Sequence, residues 1–269
     1  MTRVALIGAT GRMGTAIVRA SVADETLAII AAVASAGSKS TGRDVGVVAG
    51  IKAIGLPVID ELPPDLARAE VAIDFSRPEL SLRVLQVCRA ARVPIVIGTT
   101  GHGAEFEAHI AAAAQDIAVL VAPNTSIGVA VAQELVRIAS AALPAEFDIE
   151  IAEAHHKHKL DAPSGTALAL GERIAAARGR KLDELAVYAR HGTTGPRVPG
   201  TIGFSVVRGG NVVGEHSVRF IGPEEEVEFF HGASDRKTFA RGALRAARWA
   251  AGQAPGLYSM ADVLGLSRD

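Results

Sequence analysis

The chain has 269 residues, of which 49% are hydrophobic and 21% charged, so it is too apolar for a disordered protein and long enough for two modest domains. Its formal net charge of −1 excludes a bulk basic field that would recruit nucleic acid, and its single cysteine excludes a disulfide framework or a cysteine-based zinc site within the chain. Because no apolar run reaches membrane length and the N-terminus is unlike a signal peptide, we expect a soluble cytoplasmic protein.

The first half of the chain alternates short apolar runs with helical stretches. Buried strands are predicted at residues 3–9, 27–35, 70–76, 93–101 and 117–124. Helices are predicted at residues 11–23, 78–91 and 104–115. Apolar strands that alternate with helices are typical of a parallel, doubly wound sheet, so we expect a Rossmann-like α/β domain.

The pattern changes after a helix predicted at residues 127–143. Phe147, Ile149 and Ile151 alternate with other residue types, which is the period of a half-buried strand. Further on, residues 201–222 predict two antiparallel strands around a Gly-Gly-Asn turn. One more strand is predicted at 225–234, and a last helix at 236–252 is expected to end the regular structure. We therefore expect a second, α+β domain with a mixed or antiparallel sheet.

Three glycines, Gly8, Gly11 and Gly14, stand between the first predicted strand and the first helix, in the run GATGRMG. Glycines at such a turn allow close approach of a pyrophosphate to the helix N-terminus, whose N–H groups and positive dipole end favour anions. The G-x-x-G-x-x-G spacing is only moderately specific, and a ligand-free glycine-rich connection is the alternative. Its place in a doubly wound pattern makes nucleotide binding the favoured interpretation.

The second predicted strand ends without the acidic residue that normally accepts the ribose hydroxyls of NAD. Ala34 and Ser35 stand there instead, Lys39 and Arg43 follow, and Arg12 lies in the glycine-rich turn. An absent carboxylate with nearby cations tolerates a 2′-phosphate. We therefore predict that NADPH is accepted, and the sequence leaves NADH open.

Two more polar segments, residues 98–101 and 122–125, fall at the carboxyl ends of predicted strands. Ligands bind at these ends in open α/β sheets. Ordinary turn chemistry explains each segment equally well by itself.

The run EAHHKHKLDAPSGTA crowds three histidines and two lysines into residues 155–159. The spacing lacks the i, i+4 pair of a zinc helix, and no aromatics accompany the cations as in nucleic-acid sites, so a solvated turn is the main alternative. A helix is predicted at 162–179 with Ser164, Gly165 and Thr166 at its N-terminus, where it would offer a second anion site. An anion pocket beside proton-carrying side chains suits a reductase, because hydride transfer leaves charge that an acid must neutralise.

These runs, together with IDFSRPE, VIGTTG, RVPGTIGF and GEH, resemble the 4-hydroxy-tetrahydrodipicolinate (dihydrodipicolinate) reductase family in the same order, from about residue 3 to about residue 265. The resemblance implies reduction of a cyclic dicarboxylate by NADPH or NADH, with loss of water, in the diaminopimelate route to lysine. It implies a homotetramer joined through its C-terminal sheets. From the residues themselves we expect no metal, membrane or nucleic-acid partner. It also implies a dinucleotide-binding domain at 1–126 plus 237–269 and a substrate-binding and oligomerisation domain at 127–236.

The resemblance assigns roles to the histidine-lysine segment and to the loops. His155 matches an acid/base histidine, Lys159 a proton-donating lysine and His156 a substrate contact, while a substrate carboxylate is matched by Gly165 and Thr166. The cofactor residues it implies are Gly8, Ala9, Thr10, Gly11, Arg12, Met13, Ala34, Ser35, Gly98, Thr99, Thr100, Ala122, Pro123, Asn124 and Thr125. The chain departs from several members, which carry a Glu-Arg pair in place of Ala34 and Ser35, and from others with Phe in place of Thr125.

Two other functions are compatible with the elements alone. One is a different two-domain NAD(P) enzyme of the aspartate or homoserine dehydrogenase type, which a substrate panel would distinguish. The other is a nucleotide-sensing regulator without catalytic activity, for which the sequence offers no DNA-binding motif.

Overall fold

The computed structural model describes residues 1–63 and 66–266, which divide into two compact units. Met1–Ile127 with Arg236–Asp269 form the first unit, and Gly128–Asp235 form the second. Each join lies one residue from the expected domain boundary, and the roles expected of the two domains remain proposals. Within the described ranges, none of the helices has the length and apolar character needed to cross a bilayer.

The strands follow the apolar runs of the sequence but are shorter than predicted. They are β1 (Thr2–Ile7), β2 (Leu27–Val33), β3 (Val58–Ile59), β4 (Val71–Asp74), β5 (Ile95–Ile97), β6 (Ala118–Val121), β7 (Asp148–His155), β8 (Ala186–Val187), β9 (Ile202–Arg208), β10 (Gly214–Ile221), β11 (Glu226–Ala233) and β12 (Gly256–Tyr258).

The α-helices begin where a turn or a capping residue frees the chain from the preceding strand. They are α1 (Arg12–Ser21), α2 (Val45–Val48), α3 (Pro78–Ala91), α4 (Glu105–Ala113), α5 (Ile127–Ala142), α6 (Gly165–Ala177), α7 (Leu182–Leu185), α8 (Lys237–Ala250) and α9 (Met260–Val263), with a 3₁₀ turn at Leu66–Arg68. Pro78 begins α3, where its missing N–H costs nothing, and Gly179, with φ +68°, follows the end of α6.

The first unit contains a seven-stranded parallel sheet in the order β12-β6-β5-β4-β1-β2-β3. All of β4 and β5 is buried, because helices cover parallel strands on both faces. The predicted Rossmann-like sheet is confirmed. The prediction that regular structure ends with α8 is wrong, because β12 and α9 follow. The three residues of β12, Gly256–Tyr258, are too few for a recognisable strand pattern.

The second unit contains a five-stranded mixed sheet in the order β11-β10-β7-β9-β8. The predicted mixed sheet is confirmed, but the predicted hairpin is wrong. Strands β9 and β10 run in opposite directions with β7 between them, parallel to β9 and antiparallel to β10. The Gly-Gly segment crosses the end of β7 and binds it there. Gly209 N donates to His155 O (3.0 Å), and Lys157 N donates to Gly210 O (3.3 Å).

One face of β7 is apolar at its start and polar at its end. Ile149 and Ile151 are buried in the core of the second unit, which α6 covers with Ala167, Leu170 and Ile174. Two and four residues beyond Ile151, Glu153 and His155 are buried on the same face. The sheet therefore presents polar side chains beside the start of α6.

Candidate active site

The loops predicted to hold a cofactor share one edge of the first unit's sheet. They follow the carboxyl ends of β1, β2, β5 and β6, which are parallel. The chain reverses its direction of winding between the neighbours β1 and β4, and such a switch point is where open α/β sheets bind ligands. We call the loops 8–13, 34–35, 98–100 and 122–125 the carboxyl edge.

Glycines at the carboxyl edge are required by the close approach of Phe75, the residue after β4. A Cβ on Gly8 would overlap the carbonyl oxygen of Phe75, and Gly8 has a φ of +79°. A Cβ on Gly98 would overlap the Phe75 ring. Both glycines are therefore fixed by contacts within the first unit, and their roles toward a cofactor remain predictions.

Helix α1 begins without a side-chain cap. Its N-cap residue is Gly11, and a Cβ on Gly14 in the first turn would overlap the carbonyl oxygen of Gly8. The first N–H groups of a helix have no partner inside the helix, and they attract anions when no side chain covers them. This geometry suits a pyrophosphate.

The end of β2 is more acidic than the sequence suggested. Ala34 is buried, while Ser35, Lys39 and Arg43 are exposed. Asp60, directly after β3, reaches the same loop and accepts a hydrogen bond from Gly37 N (3.3 Å). A carboxylate thus reaches the loop that follows β2, although it comes from the end of a different strand.

The Thr125 side chain is hydrogen-bonded within the first unit. Its hydroxyl is buried and donates to Phe239 O in α8 (2.7 Å), and Asn124 Oδ1 accepts from Ser126 N (2.9 Å). The Thr125 side chain therefore shapes the loop, and its role toward a cofactor remains a prediction.

His155 is held by a buried carboxylate in the second unit. Its Nδ1 lies 2.6 Å from Glu153 Oε2, and the Glu153 side chain is 1% exposed. Arg208, the last residue of β9, donates from Nη1 to Oε2 (2.7 Å) and from Nη2 to Oε1 (2.7 Å) of the same carboxylate. Such a two-pronged pair fixes geometry as well as charge.

The sequence predicts an anion site at the start of α6. Ser164 is the N-cap, and its hydroxyl accepts from Ala167 N (3.2 Å) and lies 3.0 Å from His216 Nε2. Nothing lies within 4 Å of the position that a Cβ would take on Gly165. The helix start is therefore fixed from behind by His216 and open in front of Gly165, next to Thr166.

Burial favours the neutral forms of Glu153 and His216, but the neighbouring groups act differently on the two pKa values. Burial raises the pKa of Glu153, but hydrogen bonds from Arg208, His155 and Ser164 N outweigh it and bring that pKa below its ordinary value. Burial lowers the pKa of His216 to about 4, helped by charge on His155. Glu153 is therefore an anion and His216 a neutral ring at physiological pH.

Lys159 lies in the loop after β7, where its ammonium donates to both carboxylate oxygens of Asp161 (2.8 Å each). Its side chain is 20% exposed and that of Asp161 is 60% exposed. The His156 ring lies 6.3 Å from the His158 ring. In the described ranges, no group of three or more His, Cys, Asp and Glu side chains is arranged to hold a metal ion.

Sequence reasoning missed Glu153, Arg208 and His216. Glu153 precedes His155 by two residues, so the strand period alone would have placed both on one face. His216 belongs to the quoted GEH run, yet no partner for it was recognised. Nothing local to Arg208 indicates that it reaches Glu153, 55 positions away.

Two family models match the chain. The model described as "Dihydrodipicolinate reductase, N-terminus" matches residues 2–125, and "Dihydrodipicolinate reductase, C-terminus" matches residues 128–264. Among curated relatives, 4-hydroxy-tetrahydrodipicolinate reductase of Thiobacillus denitrificans is 51% identical over 98% of both chains. The enzyme of the same name from Anaeromyxobacter dehalogenans is 51% identical over 99% of this chain and 98% of its own.

Solved structures share the fold at lower identity. A dipicolinate-bound dihydrodipicolinate reductase from Paenisporosarcina sp. TG-14 has a TM-score of 0.75 and 24% identity, covering 96% of this chain and 97% of its own. GenD2 from gentamicin A biosynthesis, in complex with NAD, has a TM-score of 0.60 and 14% identity, covering 98% and 90%. These two likenesses describe the fold alone.

Proposed function

The chain belongs to the dihydrodipicolinate reductase family, and from this premise we propose that it reduces 4-hydroxy-tetrahydrodipicolinate with NADPH or NADH, using His155 and Lys159 to handle protons. The relatives favour this reaction over an aspartate or homoserine dehydrogenase and over a regulator without activity. One observation carries the assignment of the site. The Glu153 carboxylate binds both His155 Nδ1 (2.6 Å) and Ser164 N (2.9 Å), so a proton-carrying ring adjoins an anion-binding helix start.

The substrate is a cyclic dicarboxylate, and the second unit offers two kinds of anion contact. Backbone N–H groups at the start of α6 suit one carboxylate, since the space in front of Gly165 is open. The Lys159 ammonium suits the other, once the substrate replaces Asp161 as its partner. The dipicolinate bound to the Paenisporosarcina relative is a dicarboxylate of this class and supports the assignment.

The reaction consumes one hydride and one proton and releases one water. When bound, NADPH or NADH would supply the hydride, and Lys159 and His155 would supply and relay the proton as negative charge develops on the substrate ring. Glu153 holds His155 Nδ1, so the exchangeable position is Nε2. Orientation and preorganised charge are expected to provide most of the acceleration.

The nucleotide is proposed to lie at the carboxyl edge, with its pyrophosphate on the start of α1. Lys39 and Arg43 favour a 2′-phosphate, whereas Asp60 near Gly37 favours unphosphorylated ribose. We propose that NADPH is accepted and that NADH is also used. Parallel oxidation of the two cofactors with freshly generated substrate tests this. NADPH binding far weaker than NADH binding at one ionic strength would contradict it.

Lys159→Ala tests the assigned chemistry. We expect kcat to fall by at least about a hundredfold, the scale of general acid catalysis, while NADPH binding survives. Lys181→Ala, at an exposed lysine before α7, is the matched control and should leave kcat unchanged. An active Lys159→Ala enzyme would remove Lys159 from the mechanism.

We also propose that the protein is cytoplasmic and forms a homotetramer joined through the second unit's sheet. The sheet face opposite α6 carries apolar side chains, with Val207 59% exposed and Phe230 66% exposed. Val207 lies on β9 and Phe230 on β11, with β10 and β7 between them, so these side chains are spread across the face that we propose as the interaction surface. Light scattering should give four chains, and Phe230→Glu should reduce that number. A wild-type monomer at micromolar concentration would contradict the proposal.

A further inference from the structure

We infer that Glu153, held by Arg208, is a positioning residue that sets the tautomer of His155 and ties its ring to the start of α6. The inference deepens the proposed function and rests on it, because it assumes that His155 exchanges a proton with substrate. It concerns Glu153 and Arg208, which do not themselves touch the reacting atoms.

The Glu153 carboxylate makes four hydrogen bonds. Oε1 accepts from Ser164 N (2.9 Å) and Arg208 Nη2 (2.7 Å), and Oε2 faces His155 Nδ1 (2.6 Å) and accepts from Arg208 Nη1 (2.7 Å). A carboxylate offers about four lone-pair directions, so all of them are used. With its side chain 1% exposed, Glu153 cannot turn without losing these buried bonds.

The bonding of Glu153 determines which nitrogen of His155 is reactive. An ionised carboxylate can only accept, so Nδ1 must carry a hydrogen whether the ring is neutral or protonated. Nε2 is then the nitrogen that gains and loses a proton. A Cβ at position 214 would lie only 3.1 Å from Nε2, and the glycine there leaves that space open.

Arg208 connects this pair to the segment that carries Lys159. Besides its bonds to Glu153, its Nη2 donates to the carbonyl oxygen of Asp161 (2.7 Å), the residue that holds the Lys159 ammonium. Arg208 thus compensates the buried charge of Glu153 and fixes the loop after β7. The two groups assigned to proton transfer are positioned through one guanidinium.

Glu153→Gln tests the inference with little change of shape. Glutamine can donate to Nδ1 as well as accept from it, so the tautomer is no longer imposed. We expect kcat to fall by at least about tenfold, with KM for substrate and Kd for NADPH within about threefold of wild type. Nitrogen-15 NMR of the histidines should show His155 as the Nδ1–H tautomer in wild type and as a mixture in Glu153→Gln.

Glu150→Gln is the matched control. Glu150 lies on the opposite face of β7 and is also held by arginine, with Arg190 Nη1 on Oε2 (3.0 Å) and Arg190 Nη2 on Oε1 (2.9 Å). Its loss removes a similar ion pair from the same strand, far along the strand from His155. Its kcat and the His155 signals should match wild type.

Arg208→Lys provides a second test should Glu153→Gln fail to fold. Lysine keeps the positive charge but cannot bind both oxygens and the Asp161 carbonyl together, so kcat should fall by about three- to tenfold. Wild-type kcat in both variants, or an unchanged His155 tautomer in Glu153→Gln, would overturn the inference. A wild-type enzyme that fails to reduce the substrate would instead refute the proposed function, and the tautomer experiment would still decide the positioning of His155.

Discussion

The carboxyl edge of the first unit and the polar end of the second unit's sheet are both suited to anions, but different kinds of group form them. The carboxyl edge consists of backbone, with Gly8 and Gly98 forced by Phe75 and a helix start left uncapped at Gly11. The polar end consists of side chains from three strands, among them Glu153 and Arg208. At the carboxyl edge an added Cβ overlaps neighbouring atoms, whereas at the polar end both the charge of a side chain and its hydrogen-bonding geometry matter.

The largest effect expected from this contrast is a pH dependence of stability that belongs to the second unit. The pKa of His216 is about 4 in the folded protein, lowered by burial and by charge on His155 and His231, whereas an unfolded histidine titrates near 6.5. Below pH 6.5 the unfolded chain therefore binds more protons, so the stabilisation is complete above that pH and is lost toward pH 4. By pH 5 the loss is about 2 kcal/mol.

Calorimetric unfolding of wild type and His216→Gln at pH 7.5 and pH 5 checks this expectation. Other groups gain protons over the same pH range, so only the difference between the two proteins is informative. The lowered pKa of Glu153 acts in the same direction, but its effect belongs to lower pH. His216→Gln should lose less stability on acidification than wild type. Equal losses of stability in the two proteins would show that His216 does not cause the pH dependence. Charge would then not distinguish the second unit's polar end from the carboxyl edge.

The next effect concerns the carboxyl edge, the site formed by backbone groups. Gly8→Ala adds a Cβ that overlaps Phe75 O at a φ of +79°, and Gly50→Ala adds one at a φ of +77° with nothing within 4 Å. Both variants incur the positive-φ cost of about 1 kcal/mol, but only the first displaces the turn. We expect NADPH affinity to fall by at least about tenfold in Gly8→Ala and to remain unchanged in Gly50→Ala.

Titration of NADPH by fluorescence measures both glycine variants, and dipicolinate binding in Gly8→Ala reports on the second unit. Dipicolinate should bind that variant as it binds wild type. If Gly50→Ala weakened NADPH as much as Gly8→Ala, backbone strain rather than close approach would explain the requirement for glycine.

The smallest effect concerns an exposed charge at the second site. Asp161 is 60% exposed, and exposed ion pairs contribute at most about 1 kcal/mol. Asp161→Asn removes a competitor for the Lys159 ammonium, so dipicolinate should bind up to about fivefold more tightly. Isothermal titration checks this, and weaker binding would indicate that Asp161 orients Lys159 productively.

More of the carboxyl edge than of the polar end of the second unit's sheet could be predicted from the sequence. The run GATGRMG and the segments at 98–101 and 122–125 are contiguous, and each follows a strand whose apolar pattern is clear. The start of α6 was predicted from Ser164 to Thr166 for the same reason, since caps and turns are local. Asp60 was missed because it follows a strand of only two residues, β3.

Part of the side-chain site was not predicted because residues 201–222 were expected to form a hairpin. If β9 and β10 were paired, Arg208 would face the start of β10, and Glu153 would need another partner. With β7 between them, Arg208 lies beside His155, and His216 lies beside Glu153. Alternation gives the face of a strand but not its neighbours, which are chosen by packing over the whole sheet.

The central place of β7 bears on how the second unit folds. Strand β7 can pair only when β9 and β10, which lie much later in the chain, have come beside it. Glu153 and Arg208, which are hydrogen-bonded to each other, are 55 positions apart. Long-range pairings of this kind slow folding, because loop entropy is lost before contacts form. The site cannot arise in a partly folded chain that lacks these pairings. The Nδ1–H signal of His155 is therefore expected to appear only when the second unit's sheet is complete, and it can be used to time that event during refolding.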